Sequence, residues 1–441
     1  MEQKRNYILP IIVMIFLFGM ISFVTNLASP MGDILKSQFG VANWMGTLGV
    51  FANFIAYAIM GYPAGNMLSR LGYKKTALIA VSIGFIGVGI QTLSGTMGSF
   101  GVYLLGAFIA GFSMCLLNTV VNPMLNKLGG GGNKGNQLIQ TGGSFNSLCG
   151  TAVIILTGLL IPNITEARIS DVFPLMYTAL AVFALAFIVI ALTDIPESPK
   201  QADKKQTEEK SPYGPLSFRH FVLGAAAIFV YVGIEVGIPN VLNKWLQNPD
   251  LNVLGSGVNA EAIAGSVAAT YWLLMLVGRL LGAAVGSKVS ARKMLSVVSL
   301  AGLVLVFAAI VAPQTVSVVL PAFNGAKGFD LVNVPVNAAL LVLVGLCTSV
   351  MWGGIFNLAV EGLGKYTEKA SGIFMMLVCG GGILPLLQNA IVDLKGGEGY
   401  LASYWLIIAA LAYLLFYAVI GSKNVNKDIP VEEEMDARNV A

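Results

Sequence analysis

From Gly101 to Asn126 the chain carries no charge, a run long enough for a helix to cross a bilayer. Runs of this kind recur along the whole chain, and that recurrence restricts the fold more than any other feature. They lie near Ile8–Leu27, Trp44–Met67, Thr76–Leu93, Gly101–Leu128, Gln137–Ile161 and Val172–Leu192. A second set lies near Phe221–Trp245, Ala260–Val285, Met294–Val311, Val336–Val360, Ser371–Asp393 and Leu401–Ile420. Charged residues make up 11% of the chain, against about 25% in soluble domains, and mean hydropathy is +0.78. A soluble enzyme is excluded. The sequence predicts an all-α membrane protein with twelve transmembrane helices, and its 51 glycines suit helices that approach closely. The run from Ile8 is too long for a signal-peptide core and reads as the first span.

The hydrophilic stretch Asp194–His220, with KQADKKQTEEKSP inside it, separates six runs from six. The expected division is an N-terminal half 1–194, a cytoplasmic linker 195–220, a C-terminal half 221–421 and a cytoplasmic tail 422–441. Basic residues agree with this count. Lys36, Arg168, Lys244, Lys327 and Lys395 fall on one side and Arg279 inside a span, while the other 20 of 26 fall on the side of both termini. That bias places both ends in the cytoplasm of a multi-pass protein of the cell's inner (plasma) membrane.

The two sets also echo each other. GNMLSRLGYKK (Gly65–Lys75) follows the second run and AAVGSKVSARK (Ala283–Lys293) follows the eighth, with a Ser before a base and a closing basic pair at the same offsets. Setting Gly111 on Gly345 places Asn118 on Trp352 and Asn122 on Phe356. Repeats of six helices about an axis along the membrane normal suit a known transporter architecture.

Asn118 and Asn122 lie one helical turn apart in an uncharged span, so both amides share one face. Toward lipid that face is costly; it should meet protein or a water-filled cavity. One reading is interhelical hydrogen-bond glue, the other a solute-binding wall. Asn26, Gln140 and Asn146 pose the same choice. Carboxamides both donate and accept, as sugar hydroxyls do. Trp352 and Phe356, with Tyr231 and Trp272 behind them, are aromatic candidates to stack on a pyranose or simply to pack. Glu235 is a carboxylate well inside a span, with Tyr231 one turn before it and Pro239 one turn after. It is the coupling-ion candidate, for H+ or Na+. Arg279, toward the cytoplasmic end of the eighth run, has a conformational reading or pairs with an anionic solute.

Other chemistry is not indicated. Cys115, Cys149, Cys347 and Cys379 form no CxxC pair, so neither a zinc site nor a disulfide framework is expected. Gly129–Gly132 with Asn133 and Lys134 lack phosphate-loop spacing. His220 has no catalytic companions. No cofactor, metal or nucleic-acid partner is expected.

The loop Gly65–Lys75 resembles the signature between helices two and three of the major facilitator superfamily, G-x-x-x-D-R-x-G-R-R/K. Gly65, Arg70, Gly72 and Lys74 match, Ser69 stands where the family has Asp, and Tyr73 where it has Arg. TNLAS (Thr25–Ser29), PAGNMLSRLGYK (Pro63–Lys74), LLNTVVNP (Leu116–Pro123), SFNS (Ser144–Ser147), YVGIEVGIP (Tyr231–Pro239) and GGGILP (Gly380–Pro385) are similar to the fucose–proton symporter family, which includes glucose/galactose carriers. The resemblance implies two pseudo-symmetric six-helix halves rocking about a midplane site, and cation-coupled uptake of a monosaccharide by a monomer in the lipid bilayer. It also implies a gating role for Gly65, Ser69, Arg70, Gly72 and Lys74, with Arg279 added on position. The family's two carboxylates, in its first and fourth helices, are replaced here by Ser29 and Asn118, so proton coupling by those groups is not expected. Passive facilitation, an acidic or amino sugar such as a sialic-acid-like solute, and a non-transporting sensor are the alternatives.

Overall fold

The computed structural model describes residues 7–39, 48–160, 168–197, 213–255, 258–323 and 328–431. Most of the expected linker, the end of the tail, Lys327, and the side chains of Ser29 and Lys36 lie outside the described residues.

Among the described residues, ten stretches are long and apolar enough to cross a membrane. One of them, Phe51–Met97, has 47 residues. At 1.5 Å per residue such a helix is about 70 Å long, twice what a bilayer needs. It crosses twice, because Gly72 turns the chain at φ 84° and ψ 176°, a backbone geometry that a Cβ would forbid. The one span the hydropathy criterion passes over is Gly132–Leu160, a 29-residue helix whose first half, GNKGNQLIQTGGSFNS, is too polar for lipid and packs against protein instead.

In chain order the spans are Ile8–Phe39, the two passes of Leu48–Met97, Phe100–Leu128, Gly132–Leu160 and Phe173–Leu192. Then come Arg219–Gln247, Ala260–Val285, Ala291–Val311, a tenth in two pieces (Val336–Thr348, Met351–Val360), an eleventh in two pieces (Thr367–Met376, Gly380–Lys395), and a twelfth around Tyr404–Phe416. Local chemistry sets several starts. Ser99 accepts from the Val102 N–H, Asn259 from Ala262 and Ser290 from Lys293, each satisfying a donor the helix leaves free.

Among the prolines inside the spans are Pro63, Pro123, Pro239 and Pro385. Each lacks the N–H that the carbonyl four residues earlier would accept from. Pro123 thus releases the carbonyl of Thr119, which takes the hydroxyl of Ser371 from the other half at 3.0 Å. Pro239 in the same way releases the carbonyl of Glu235.

The membrane-length runs leave out one element. Between the ninth and tenth spans, Ser317–Phe323 and Phe329–Pro335 form an antiparallel hairpin, with Leu320 opposite Val332 and Phe323 opposite Phe329. Strands of seven residues are shorter than any membrane-spanning window, so hydropathy passes over them. Ala322, Val332 and Val334 are buried on one face, while Val319, Phe323, Phe329 and Leu331 are exposed on the other. The Phe323 N–H donates to Ser266 Oγ at 2.9 Å and fixes the hairpin to the eighth span.

Spans one to six pack mainly on one another, and so do spans seven to twelve. The halves meet where the second span lies on the eleventh and the fifth on the eighth. Gly372 of the eleventh span lies against Gly61 and Gly65 so closely that a Cβ there would sit 2.4 Å from the Gly61 oxygen and the Gly65 nitrogen.

Candidate functional site

The fourth span supplies a ladder of amides. Asn118 Nδ2 donates to the Tyr57 hydroxyl of the second span at 2.7 Å and to the Met114 carbonyl at 3.2 Å. Asn122 Nδ2 donates back to the Asn118 carbonyl at 2.9 Å. Its Oδ1 accepts the indole N–H of Trp352, in the C-terminal half, at 3.0 Å. The i,i+4 spacing puts both amides on the face turned to the other half, where the repeat register sets the tenth span. Trp352 is part-buried and meets Tyr231 and Phe374 edge-on, with centroids 6.3 Å away in each case. Phe356, fully buried, packs edge-on on Phe374 at 5.1 Å.

A second polar group lies between the seventh, eighth and fifth spans. Arg279 Nη2 stands 3.6 Å from Glu235 Oε1. Its Nη1 reaches across the halves to Ser147 Oγ at 2.6 Å, the Gly143 carbonyl at 3.1 Å and Asn146 Oδ1 at 3.3 Å. Asn146 Nδ2 in turn donates to the Phe18 carbonyl at 2.7 Å, which ties the first span into the set. Glu235 keeps 14% of its side chain exposed. Asn26 is part-buried beside Gly150 of the fifth span and donates to the carbonyl and hydroxyl of Ser22. Gln140 Nε2 donates to the Val350 carbonyl at 2.9 Å, where the tenth span breaks between its two pieces.

Further hydrogen bonds between the halves lie toward the end of the bundle that carries the Gly72 turn. Asn126 donates to Asn357, Lys127 pairs with Glu368 at 3.1 Å, Gln137 reaches the Ala283 carbonyl, and Ser371 reaches Thr119. The Gly72 turn is itself held. Glu197, just past the sixth span, accepts from the backbone N–H groups of Tyr73 and Lys74 at 2.7 and 2.9 Å, and Lys74 Nζ donates to the Ala191 and Thr193 carbonyls. Burial lifts the Glu197 carboxyl above its ordinary range, while those N–H groups and nearby Lys127 pull it down. Ser69 bonds within its own helix, to the Asn66 carbonyl. The anion that fastens this loop therefore comes from Glu197, not from position 69. Gly65 lies against Lys369 of the eleventh span, and Arg70 is exposed.

Of the residues singled out in the sequence, the structure joins Asn118, Asn122, Trp352 and Tyr231 in one chain of contacts, and Glu235, Arg279 and Asn146 in another. Asn26 and Gln140 border them. Phe356 lies a layer behind, with no exposed surface. Tyr57, Ser147 and Phe374 also belong here. A Ser inside the SFNS motif and a phenol in an uncharged span were the available signals for the first two.

Two six-span halves, closed at one end around a polar centre, define a membrane carrier of the alternating-access kind. The chain belongs to the Major Facilitator Superfamily, whose pattern residues 11–386 match. It is a transporter, not an enzyme. It is 29% identical over 433 residues to the glucose/galactose transporter of Brucella abortus, covering 96% of each chain. It is 24% identical over 422 residues to the L-fucose-proton symporter of Escherichia coli, covering 89% of each. The fold matches the major facilitator transporter FucP, solved in the outward conformation, with a TM-score of 0.78 at 20% identity, over 95% of this chain and all of that one.

Proposed function

We propose that the protein is a monomeric carrier that imports a monosaccharide across the cell (inner) membrane, driven by a proton or sodium gradient. The observation that carries this reading is the junction of Asn118 and Asn122 with Trp352 across the two halves. Amides that donate and accept, beside an indole face, suit a neutral pyranose. The names of the relatives, glucose/galactose transporter and L-fucose-proton symporter, point the same way. The basic-residue bias puts the Gly72 end and both termini in the cytoplasm. In that orientation the carrier is closed to the cytoplasm, in keeping with the outward conformation of FucP. Domain limits at 194, 221 and 421 follow from the same topology.

Uptake into proteoliposomes, with a panel of competing sugars and with imposed pH or sodium gradients, tests both solute and coupling. Accumulation of no monosaccharide under either gradient would defeat the reading. An acidic sugar held by Arg279 is disfavoured, because that guanidinium already faces Glu235 and bonds to Gly143, Asn146 and Ser147. Anionic sugars should therefore compete poorly.

Asn118→Ala strips the Tyr57 hydroxyl of a donor. Leaving a buried polar group unsatisfied costs about 1–3 kcal/mol, so uptake at low sugar should fall about tenfold to a hundredfold with expression intact. Wild-type uptake kinetics in that variant would remove the fourth span from the site.

A further inference from the structure

We propose that Glu235 and Arg279 form the coupling switch of this carrier: the proton taken up by Glu235 in the C-terminal half decides whether Arg279 holds the fifth span. This rests on the cation-coupled carrier reading given above. It assigns the coupling to a proton, and to a half of the molecule different from the one the replaced carboxylates would have occupied.

The guanidinium is divided between the halves. One nitrogen faces Glu235 within the C-terminal half, at 3.6 Å. The other makes all three bonds to the fifth span, at Gly143, Asn146 and Ser147. Asn146 passes the hold on to the first span through the Phe18 carbonyl. The Arg279 side chain is 10% exposed, so its charge sits where an unpaired cation is costly. An ionised Glu235 supplies the counter-charge on its own half and keeps the fork stretched toward the fifth span. When a hydronium ion in the cavity gives its proton to the carboxylate, its O–H bond breaks as the carboxyl O–H forms, leaving a water molecule and a neutral acid. The guanidinium then has no counter-charge and draws toward water, taking its donors off the fifth span. Releasing the fifth span from the eighth is a step the Gly72 end must take in order to open. Release of the proton on the other side restores the pair.

The neighbourhood supports one titrating group. Tyr231, one turn before Glu235, sets its buried hydroxyl beside the Glu235 carboxyl, where it can donate to the carboxylate. The eighth span contributes Tyr271 and Arg279, and Tyr404 and Cys347 lie behind Tyr271. Phenols, thiols and guanidinium groups keep their charge state through the acidic and neutral range in which a carboxyl titrates. Arg279 is a positioning residue; Glu235 holds the proton.

Hydrogen–deuterium exchange of residues 132–147 in the full-length carrier in lipid nanodiscs, without sugar, tests this from about pH 4.5 to about pH 8.5. Rates are corrected for the pH dependence of chemical exchange. In the wild type the segment should exchange about tenfold faster at the acid end. Glu235→Gln should exchange fast at every pH, Glu235→Asp should keep the pH profile with a displaced midpoint, and Arg279→Gln should be fast and flat. A flat wild-type profile, a wild-type profile in Glu235→Gln, or a flat and slow Glu235→Gln would each overturn the proposal. Because no sugar is present, failure of the sugar panel would leave this result intact, and the reverse also holds.

Discussion

Gly372→Val should abolish uptake, by at least about a hundredfold, and leave the carrier open at its Gly72 end. The added Cβ would lie 2.4 Å from the Gly61 oxygen and from the Gly65 Cα and nitrogen. Those are backbone atoms, and they cannot turn aside as the end of a side chain can. The second and eleventh spans must separate, and with them the neighbouring bond from Ser371 to Thr119. Gly61→Val attacks the same contact from the other side, with its Cβ 2.5 Å from the Met376 nitrogen. Gly89→Val is the control, since a Cβ at Gly89 meets nothing within 4 Å. Thiol labelling of a cysteine introduced at position 126, in a background free of the native cysteines, reads the opening. Wild-type uptake by Gly372→Val would mean that the halves do not need this contact to cycle.

Lys127→Met should weaken closure nearly as much. Lys127 pairs with Glu368 at 3.1 Å, with side chains 14% and 6% exposed, and lies over the Tyr73 ring at 5.0 Å. It also lies near Glu197, which Glu368 repels. Removing this cation weakens the screening between two carboxylates in a poorly hydrated seam. Breaking a buried pair costs about 3–5 kcal/mol, enough to move a closed population by two to three powers of ten. The same cysteine at position 126 should label faster, and outside sugar should bind more weakly. Exchanging the charges, Lys127→Glu with Glu368→Lys, should recover part of the closure, though not the contact with Tyr73. If the exchanged pair is no better than Lys127→Met alone, electrostatic pairing is not what closes the seam.

The spans were legible because membrane crossing imposes one simple demand, some twenty apolar residues in a row, and the chain meets it openly. The Gly72 reversal was legible from its loop motif. The hairpin was not, since strands of this size leave no mark on a membrane-length average. The meeting of Asn122 with Trp352 was foreshadowed by i,i+4 spacing and by the repeat register, which together match an amide face in one half to an aromatic face in the other. The Glu235–Arg279 pair was not foreshadowed. The two residues lie on different spans, and no spacing in the sequence says which faces of those spans meet. Tyr57 and Ser147 were missed because one hydroxyl in an apolar helix resembles every other until its partner is known. Ser69 was read as a loss of charge from the gating loop. In three dimensions Glu197 supplies the anion from a distant segment.

Among the described residues, the carbonyl that Pro123 frees at Thr119 is met by the Ser371 hydroxyl of the other half. When the halves part, that oxygen needs another donor, and in a lipid-sheltered seam the donor available is water. The inward vestibule must therefore become wet at least to the depth of Thr119, nine residues or about 14 Å from the Leu128 end of its span. Asn118 and Asn122 flank that oxygen along the helix. Hydration that reaches the freed carbonyl also reaches the amides, so wetting the proline break and uncovering the solute on the cytoplasmic side are one event.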